Sequence, residues 1–510
     1  MKNNIIKILL VGCLIFTQSC DNYLTEEPVT DFFTEQIFAT ESAVESAVAG
    51  MYIQFSSFEH HGSGALNLLM PMSGKFWSSQ GANVDATSLN CTPSNINLNQ
   101  LWSGMYSTIN ACNVVIDNLN NSSAELSNRD VSLGQAYLLR GITYFDLVRL
   151  WGDVPIKTSM ATVDDLHTPR NAKEDVYDLI MSDFELAKEL LPLPGEYNAA
   201  RPAKYVANAY LAKVYMQLAG EDGGDASLWQ SAYDEAIQVY QKYSLVSTYA
   251  DLFDIENENS TESMFEIQYT TAGGTRSSDA IRMFNPNNVY ANLNTFGRIR
   301  PNKEVFDQHI NQYSELDPRL DATFYYGSYI KSNGTSQNLY PTIIDNNNGF
   351  ACIEKYTDPS YNGTTSARNF LKLRYADVLL MLAEIENELN GPGSAYQYVN
   401  EVLSRARNTS SGVVAEPAEW MGMSLDEFRF RIMRERQFEL LGEGHAWYDT
   451  RRRGYEYFLE EVVETHNNQP NPGNRDYIYP VIVKNMLMPI PSNEINSNQA
   501  ISQADQNPGY

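Results

Sequence analysis

The densest run of chemistry-bearing side chains is "RERQFELLGEGHAWYDTRRRG", residues 434–454. Glu435 and Glu439 stand one helical turn apart, and Glu443 and Asp449 follow. Paired carboxylates can act as the acid and the base or nucleophile of glycoside hydrolysis. Here Arg434, Arg436, Arg451, Arg452 and Arg453 surround them. In that setting carboxylates form ion pairs and cap helix ends. The run therefore reads as structural, with a hydrolase as the lesser alternative.

Other reactive patterns are sparse. There is no H-E-x-x-H, no G-x-S-x-G and no phosphate-binding glycine loop. His60 and His61 are adjacent, a poor spacing for chelating one metal without further ligands, and none is evident. Cysteine occurs five times: Cys13, Cys20, Cys91, Cys112 and Cys352. The last three form neither a disulfide framework nor a metal pattern, and read as buried thiols. The expectation is a protein that is not an enzyme and needs no cofactor or metal.

Composition narrows the partners. Formal net charge is −27, which repels phosphate backbones and argues against nucleic acid. Such a surface is indifferent to neutral ligands such as sugars. Tyrosine occurs 32 times against 6 tryptophans. Its apolar face and polar tip suit wet binding surfaces as well as cores.

The elements that must position any site are mainly helical. Tyr137, Gly141, Tyr144, Phe145 and Val148 share one face, and that helix should stop near Gly152. Pairs are read at 203–219 with 227–242 and at 374–390 with 394–407. Asn171 with Glu174, Ser227 with Gln230, Ser394 with Gln397 and Ser424 with Glu427 read as capping signatures. The pairs approximate tetratricopeptide units, which must stack to bury their apolar faces. Residues 251–369 lose helical periodicity, with short strands expected at "SMFEIQYT" and "ACIEKYT". Residues 58–100 form a second irregular stretch. The fold class is thus mainly α: a helix-pair superhelix with an irregular, partly β ligand-binding insertion.

The N-terminus carries Lys2 and Lys7, then the apolar run Ile8–Phe16, then "TQSC". That run is well short of the ~20 residues that span a bilayer. It resembles a bacterial lipoprotein signal peptide, in which a cysteine is lipidated and becomes the new N-terminus. Cys13 has the better-spelled box, but cleavage there leaves almost no apolar region. Cys20 ends the apolar run and opens a polar linker, so it is the expected lipid attachment point.

Four stretches carry a wider resemblance: "LLRGITYFDLVRLWGDVPI", "LKLRYADVLLMLAEIENEL", "RIMRERQFELLGEGHAWYDTRRRG" and "MLMPIPSNEINSNQAISQADQNPGY". Together they resemble the SusD/RagB family of surface lipoproteins, in order and across essentially the whole chain. The resemblance implies a non-enzymatic glycan-binding protein on the outer membrane, anchored through Cys20. Its implied partners are an oligosaccharide and a SusC-like TonB-dependent barrel. The RagB side of the family implies peptides as the alternative cargo. The expected organisation is a signal peptide at 1–19, a tether at 20–35, a helical domain at 36–250 and a second domain at 251–510. Within the last, 251–369 is the ligand-binding insertion and 370–510 is helical with a C-terminal tail.

Ligand contacts are then expected from side chains in the irregular stretches. Sugars present C–H faces to aromatic rings and hydroxyls to polar side chains. The candidates are Trp77, Asn83 and Asp85 in "KFWSSQGANVD" and Tyr290, Asn292 and Arg298 in "NNVYANLNTFGR". Tyr325 and Tyr326, with Tyr329 nearby, complete the set. Trp77 leads because it lies among Gly, Ser and Asn. Trp102 falls in a stripe with Met105, Tyr106 and Ile109 and is assigned to the core.

Overall fold

Apolar stripes at three- and four-residue spacing become helices that pack mostly on their chain neighbours. The computed structural model describes residues 38–79, 84–271, 277–290, 295–344, 349–361, 363, 365–469 and 477–510. The signal segment with Cys13 and Cys20, the tether, Asn83 and Asn292 lie outside these residues. The main helices are α1 (Glu41–Phe55), α2 (Ser63–Met72), α3 (Ile96–Asn121), α4 (Arg129–Trp151), α5 (Lys173–Leu190), α6 (Lys204–Gly220) and α7 (Leu228–Val239). After the insertion, which contains α8 (Lys303–Ile310), come α9 (Tyr375–Asn390), α10 (Pro392–Ala406) and α11 (Leu425–Leu440). None of the described helices is long and apolar enough to cross a membrane.

Consecutive helices pair: α3 on α4, α4 on α5, α6 on α7 and α9 on α10. The α7–α9 contact then carries the stack past the insertion, and α11 packs on α9. The helix pairs expected at 203–242 and 374–407 are present, and the fold is the mainly α superhelix read from the sequence. Gly141 shows how closely the layers meet. A Cβ at that position would lie 2.7 Å from the Phe184 ring, so only glycine lets α4 reach α5.

The capping expectations divide. Ser424 accepts from the Glu427 N–H at 3.2 Å, as expected. Asn171 instead accepts from the Ile156 N–H at 3.0 Å, pinning the entering chain. The Ser227 hydroxyl donates to Asp225 rather than to its own helix. Ser394 lies inside α10, because Pro392 at the first turn starts that helix earlier.

Strand pairs are short and antiparallel. They are β1 (Phe76–Ser78), β2 (Ser263–Ile267), β3 (Ile299–Pro301), β4 (Phe324–Tyr325), β5 (Ser328–Ile330), β6 (Ser336–Asn338), β7 (Cys352–Ile353) and β8 (Phe370–Arg374). Pairing joins β1 to β3, β2 to β8, β4 to β7 and β5 to β6. Both strands expected in the insertion are therefore found, as β2 and β7. The stretch at 58–100 is less irregular than expected, since it contains α2 and β1. Gly74, at φ +77°, turns the chain from one into the other, and a Cβ there would meet Val462 at 2.2 Å.

Candidate functional site

The carboxylates of 435–449 are consumed by the scaffold. Arg319, fully buried, holds Asp317 at 2.7 Å, Glu435 at 2.5 Å and Glu439 at 2.8 Å. Arg374 binds Glu262 at 2.8 Å, Glu439 at 2.7 Å and Glu443 at 2.7 Å. Arg405 adds Glu262 at 2.7 Å and also contacts Glu439. Lys355 donates to Glu443 at 2.6 Å. Asp449 is held by Arg436 at 3.1 Å and Arg452 at 2.9 Å. Burial alone would raise the Glu439 carboxyl, yet Arg405, Arg374 and Arg319 hold it well below the usual range. A hydrolase needs one carboxyl kept protonated beside an open substrate cleft. Here the groups are closed in ion pairs and serve as a clamp between β8, α10 and α11.

The insertion presents a different surface. Pairing of β4 with β7 places Tyr325 opposite Cys352. The half-buried Tyr325 has its hydroxyl close to those of Tyr290 and Thr357, and Thr357 donates to the Glu354 carbonyl. Tyr290 also accepts from the Asp358 N–H at 3.2 Å, and Tyr361 meets its ring edge-on at 6.1 Å. Burial pushes both the Tyr290 and Tyr325 phenols up, so they are neutral donors and acceptors at physiological pH. Glu354 sits near both Tyr325 and Tyr326, and among the described residues no cation pairs with it. Burial, with the Asp321 charge nearby, lifts its carboxyl to about 7.

Tyr326 follows the end of β4 and takes different partners from Tyr325. Tyr326 lies on Phe306, 5.4 Å between centroids, and donates to Asp321 at 2.8 Å. Tyr329 is 7% exposed and donates to the Asn287 carbonyl at 2.7 Å, so it braces the loop. Arg298 lies over the Phe296 ring at 4.2 Å, with Arg282 over the same ring at 5.6 Å. Burial and the Arg282 charge lower its affinity for a proton. No ion pair holds Arg298 among the described residues. The Arg282 charge also acts on the Tyr361 phenol, which burial nonetheless pushes up.

Two candidates take other roles. Trp77 is 3% exposed and stacked on Phe350, 4.7 Å between centroids and 8° from parallel. Its strand partner Arg300 lies over the ring at 5.9 Å. No open face remains for a sugar, so Trp77 is core under the insertion. Its polar sequence neighbours concealed a strand pairing that closes over more than two hundred residues. Asp85 accepts from the Ala86 N–H, the Thr92 N–H and hydroxyl, and the Asn95 amide. It staples the turn that starts α3. Trp102 is core as expected, edge-on to Trp151 at 5.0 Å and donating to Glu494 at 3.1 Å.

The candidate site is thus Tyr290, Tyr325, Thr357, Tyr361 and Glu354, while Arg298 is held on Phe296. Sequence reading named Tyr290, Tyr325 and Arg298. It missed Thr357 and Tyr361, whose signal was the polar, turn-rich "YTDPSYNG". Glu354 had no sequence signal, because its perturbation comes from burial alone and from a carboxylate distant in the chain.

The fold defines a class: a helical-repeat protein that carries a polar, aromatic insertion. Comparison makes this specific. The sequence pattern of the SusD family matches residues 213–510, and one described as "Starch-binding associating with outer membrane" matches residues 22–216. The chain belongs to the SusD family. Two SusD-like proteins of Formosa agariphila resemble it end to end. One is 26% identical over 100% of this chain and 99% of its own, the other 28% over 99% of each. Among solved structures, a SusD homolog from Bacteroides thetaiotaomicron superposes with TM-score 0.77 at 21% identity, over 94% of this chain and 98% of its own. A structure solved with xylogluco-oligosaccharide gives 0.75 at 22%, over 90% and 98%. A laminarin-binding SusD-like protein gives 0.72 at 21%, over 93% and 100%. As a member of this family the protein is not an enzyme.

Proposed function

We propose that this protein captures neutral oligosaccharides at the bacterial surface through the Tyr290–Tyr325 cluster and hands them to a SusC-like TonB-dependent barrel. The observation that supports this reading most is the hydroxyl cluster itself. The Tyr290, Tyr325 and Thr357 hydroxyls lie close together on half-buried residues, and no metal-like cluster occurs among the described residues. Such a surface matches sugar hydroxyls, each of which both donates and accepts. The relatives that carry xylogluco-oligosaccharide or bind laminarin support the same class of ligand.

The lipid anchor is placed at Cys20, with residues 20–35 as tether, on the sequence pattern alone. Two or more acyl chains give stable anchoring, at about 0.8 kcal/mol per buried CH₂. Surface proteolysis of intact cells, abolished by Cys20→Ala, tests it. Co-purification with a TonB-dependent barrel from the native membrane tests the partner.

One observation favours peptide as a second cargo. The unpaired Glu354, near Asp321, and the net charge of −27 would attract a basic segment. Titration of the pure protein with oligosaccharides and with basic peptides, at low and high salt, separates the two. Sugar binding is indifferent to salt, whereas basic-peptide binding weakens steeply.

A further inference from the structure

A separate groove lies between α8 and α11. Its volume is about 970 Å³, within the range of small-ligand sites. One wall is the outer face of α11, where Phe430, Arg431 and Arg434 follow helical spacing. The other is α8 and its exit, with Gln308, Asn311 and Gln312. Asn468 and Gln469 line it too, beside the α8 and α11 walls. Phe306, elsewhere on α8, packs against Tyr326, and no residue of the tyrosine cluster lines the groove.

The lining is unfinished in a particular way. Trp420 Nε1, Gln312 Oε1 and Glu304 Oε2 are buried with no hydrogen-bond partner among the described residues. They are one donor and two acceptors, and all three residues line the groove. Arg431 lies over the Trp420 ring at 4.8 Å and makes no ion pair among the described residues. A hydroxyl is the group that satisfies donors and acceptors alike. The amides of Asn311 and Asn468, both exposed, extend the same dual chemistry along the groove. An apolar anchor finds only Phe430 open, at 41% exposure. An anion meets Glu304, Asp307 and Glu427 in the same walls.

We infer that this groove is a second saccharide site, taking a short neutral oligosaccharide independently of the tyrosine cluster. Two sites on one anchored chain raise the effective concentration of a long glycan by engaging it twice.

The test is hydrogen exchange of the full chain, read by peptide, with hexasaccharides of β-1,3-glucan, xyloglucan and starch at millimolar concentration. At least one sugar should protect peptides spanning 303–312 and 425–438. Arg431→Ala and the exposed-site variant Asn311→Ala should each weaken that protection about fivefold, the worth of one hydrogen bond. Protection at 324–330 should persist in both variants, and groove protection should persist in Tyr325→Ala. Absence of protection at 303–312 and 425–438 with all three sugars overturns the inference, whatever happens at 324–330. So does protection by a tetralysine peptide in place of the sugars, or groove protection that Tyr325→Ala removes. Failure at 324–330 alone counts against the tyrosine site and not against the groove.

Discussion

Glu439 and Glu354 are the same side chain in two regions of one molecule, and their carboxyls shift in opposite directions. Glu439, fully buried, is surrounded by Arg319, Arg374 and Arg405 and is held far below its ordinary value. Glu354, half-buried in the insertion, has no cation paired with it among the described residues and rises to about 7. Burial opposes ionisation in both, so the difference comes from partners. Where α10, α11 and β8 must be locked together, every charge is answered inside the chain. Where the insertion meets solvent, polar groups are left under-satisfied and open to an outside partner. Density of charge marks the scaffold, and incompleteness marks the site.

The largest way to break this comparison is to remove one member of the clamp. Arg374→Met leaves Glu262, Glu439 and Glu443 short of a cation, which should cost about 3–5 kcal/mol in urea unfolding. Oligosaccharide affinity, measured under folding conditions, should not change. Trp77→Ala should cost a similar amount, about 3–5 kcal/mol, because it empties the space beneath Phe350. Trp77→Phe should largely restore stability and leave sugar binding within about twofold of wild type, where a stacking platform would lose more. Tyr325→Phe removes one hydroxyl from the site. It should weaken oligosaccharide binding about fivefold, the value of one neutral hydrogen bond, with little change in the unfolding midpoint.

The smallest effect is on pH. Glu354 has a folded value of about 7 against an ordinary 4.5. A raised carboxyl favours the folded state below the unfolded value and loses that contribution as pH climbs through 7. Glu354→Gln removes the titration. Its melting temperature relative to wild type should therefore be higher at pH 8 than at pH 5, and equal offsets at both would show that Glu354 is solvated.

Much of the scaffold could be read before folding, because helical periodicity is local. The stripes at 203–219 and 374–390 became α6 and α9 within a residue or two. The acidic run at 435–449 was correctly read as ionic, since its arginines are neighbours in sequence. The cations that finish the clamp, Arg319, Arg374 and Arg405, come from other elements and could not be assigned from that run. The site was harder for the same reason. Trp77 looked exposed among small polar residues, yet Phe350 and β3 cover it from far along the chain. Tyr325 and Tyr326 looked equivalent, yet Tyr325 ends β4 near Tyr290 while Tyr326 lies on Phe306 and donates to Asp321. Asp85 looked free, but its turn consumes every lone pair it offers.

The central claim is that Tyr290 and Tyr325 bind neutral sugar. The direct measurement is calorimetric titration of wild type and a Tyr290→Ala, Tyr325→Ala double variant with the three hexasaccharides, at low and high salt. Hydrogen exchange at 324–330 read alongside separates this site from the groove. The account predicts salt-independent binding of at least one sugar in wild type. The double variant should lose it at the insertion by about a hundredfold, at an unfolding midpoint close to wild type. Unchanged protection at 324–330 in the double variant, or binding of basic peptides alone, would contradict it.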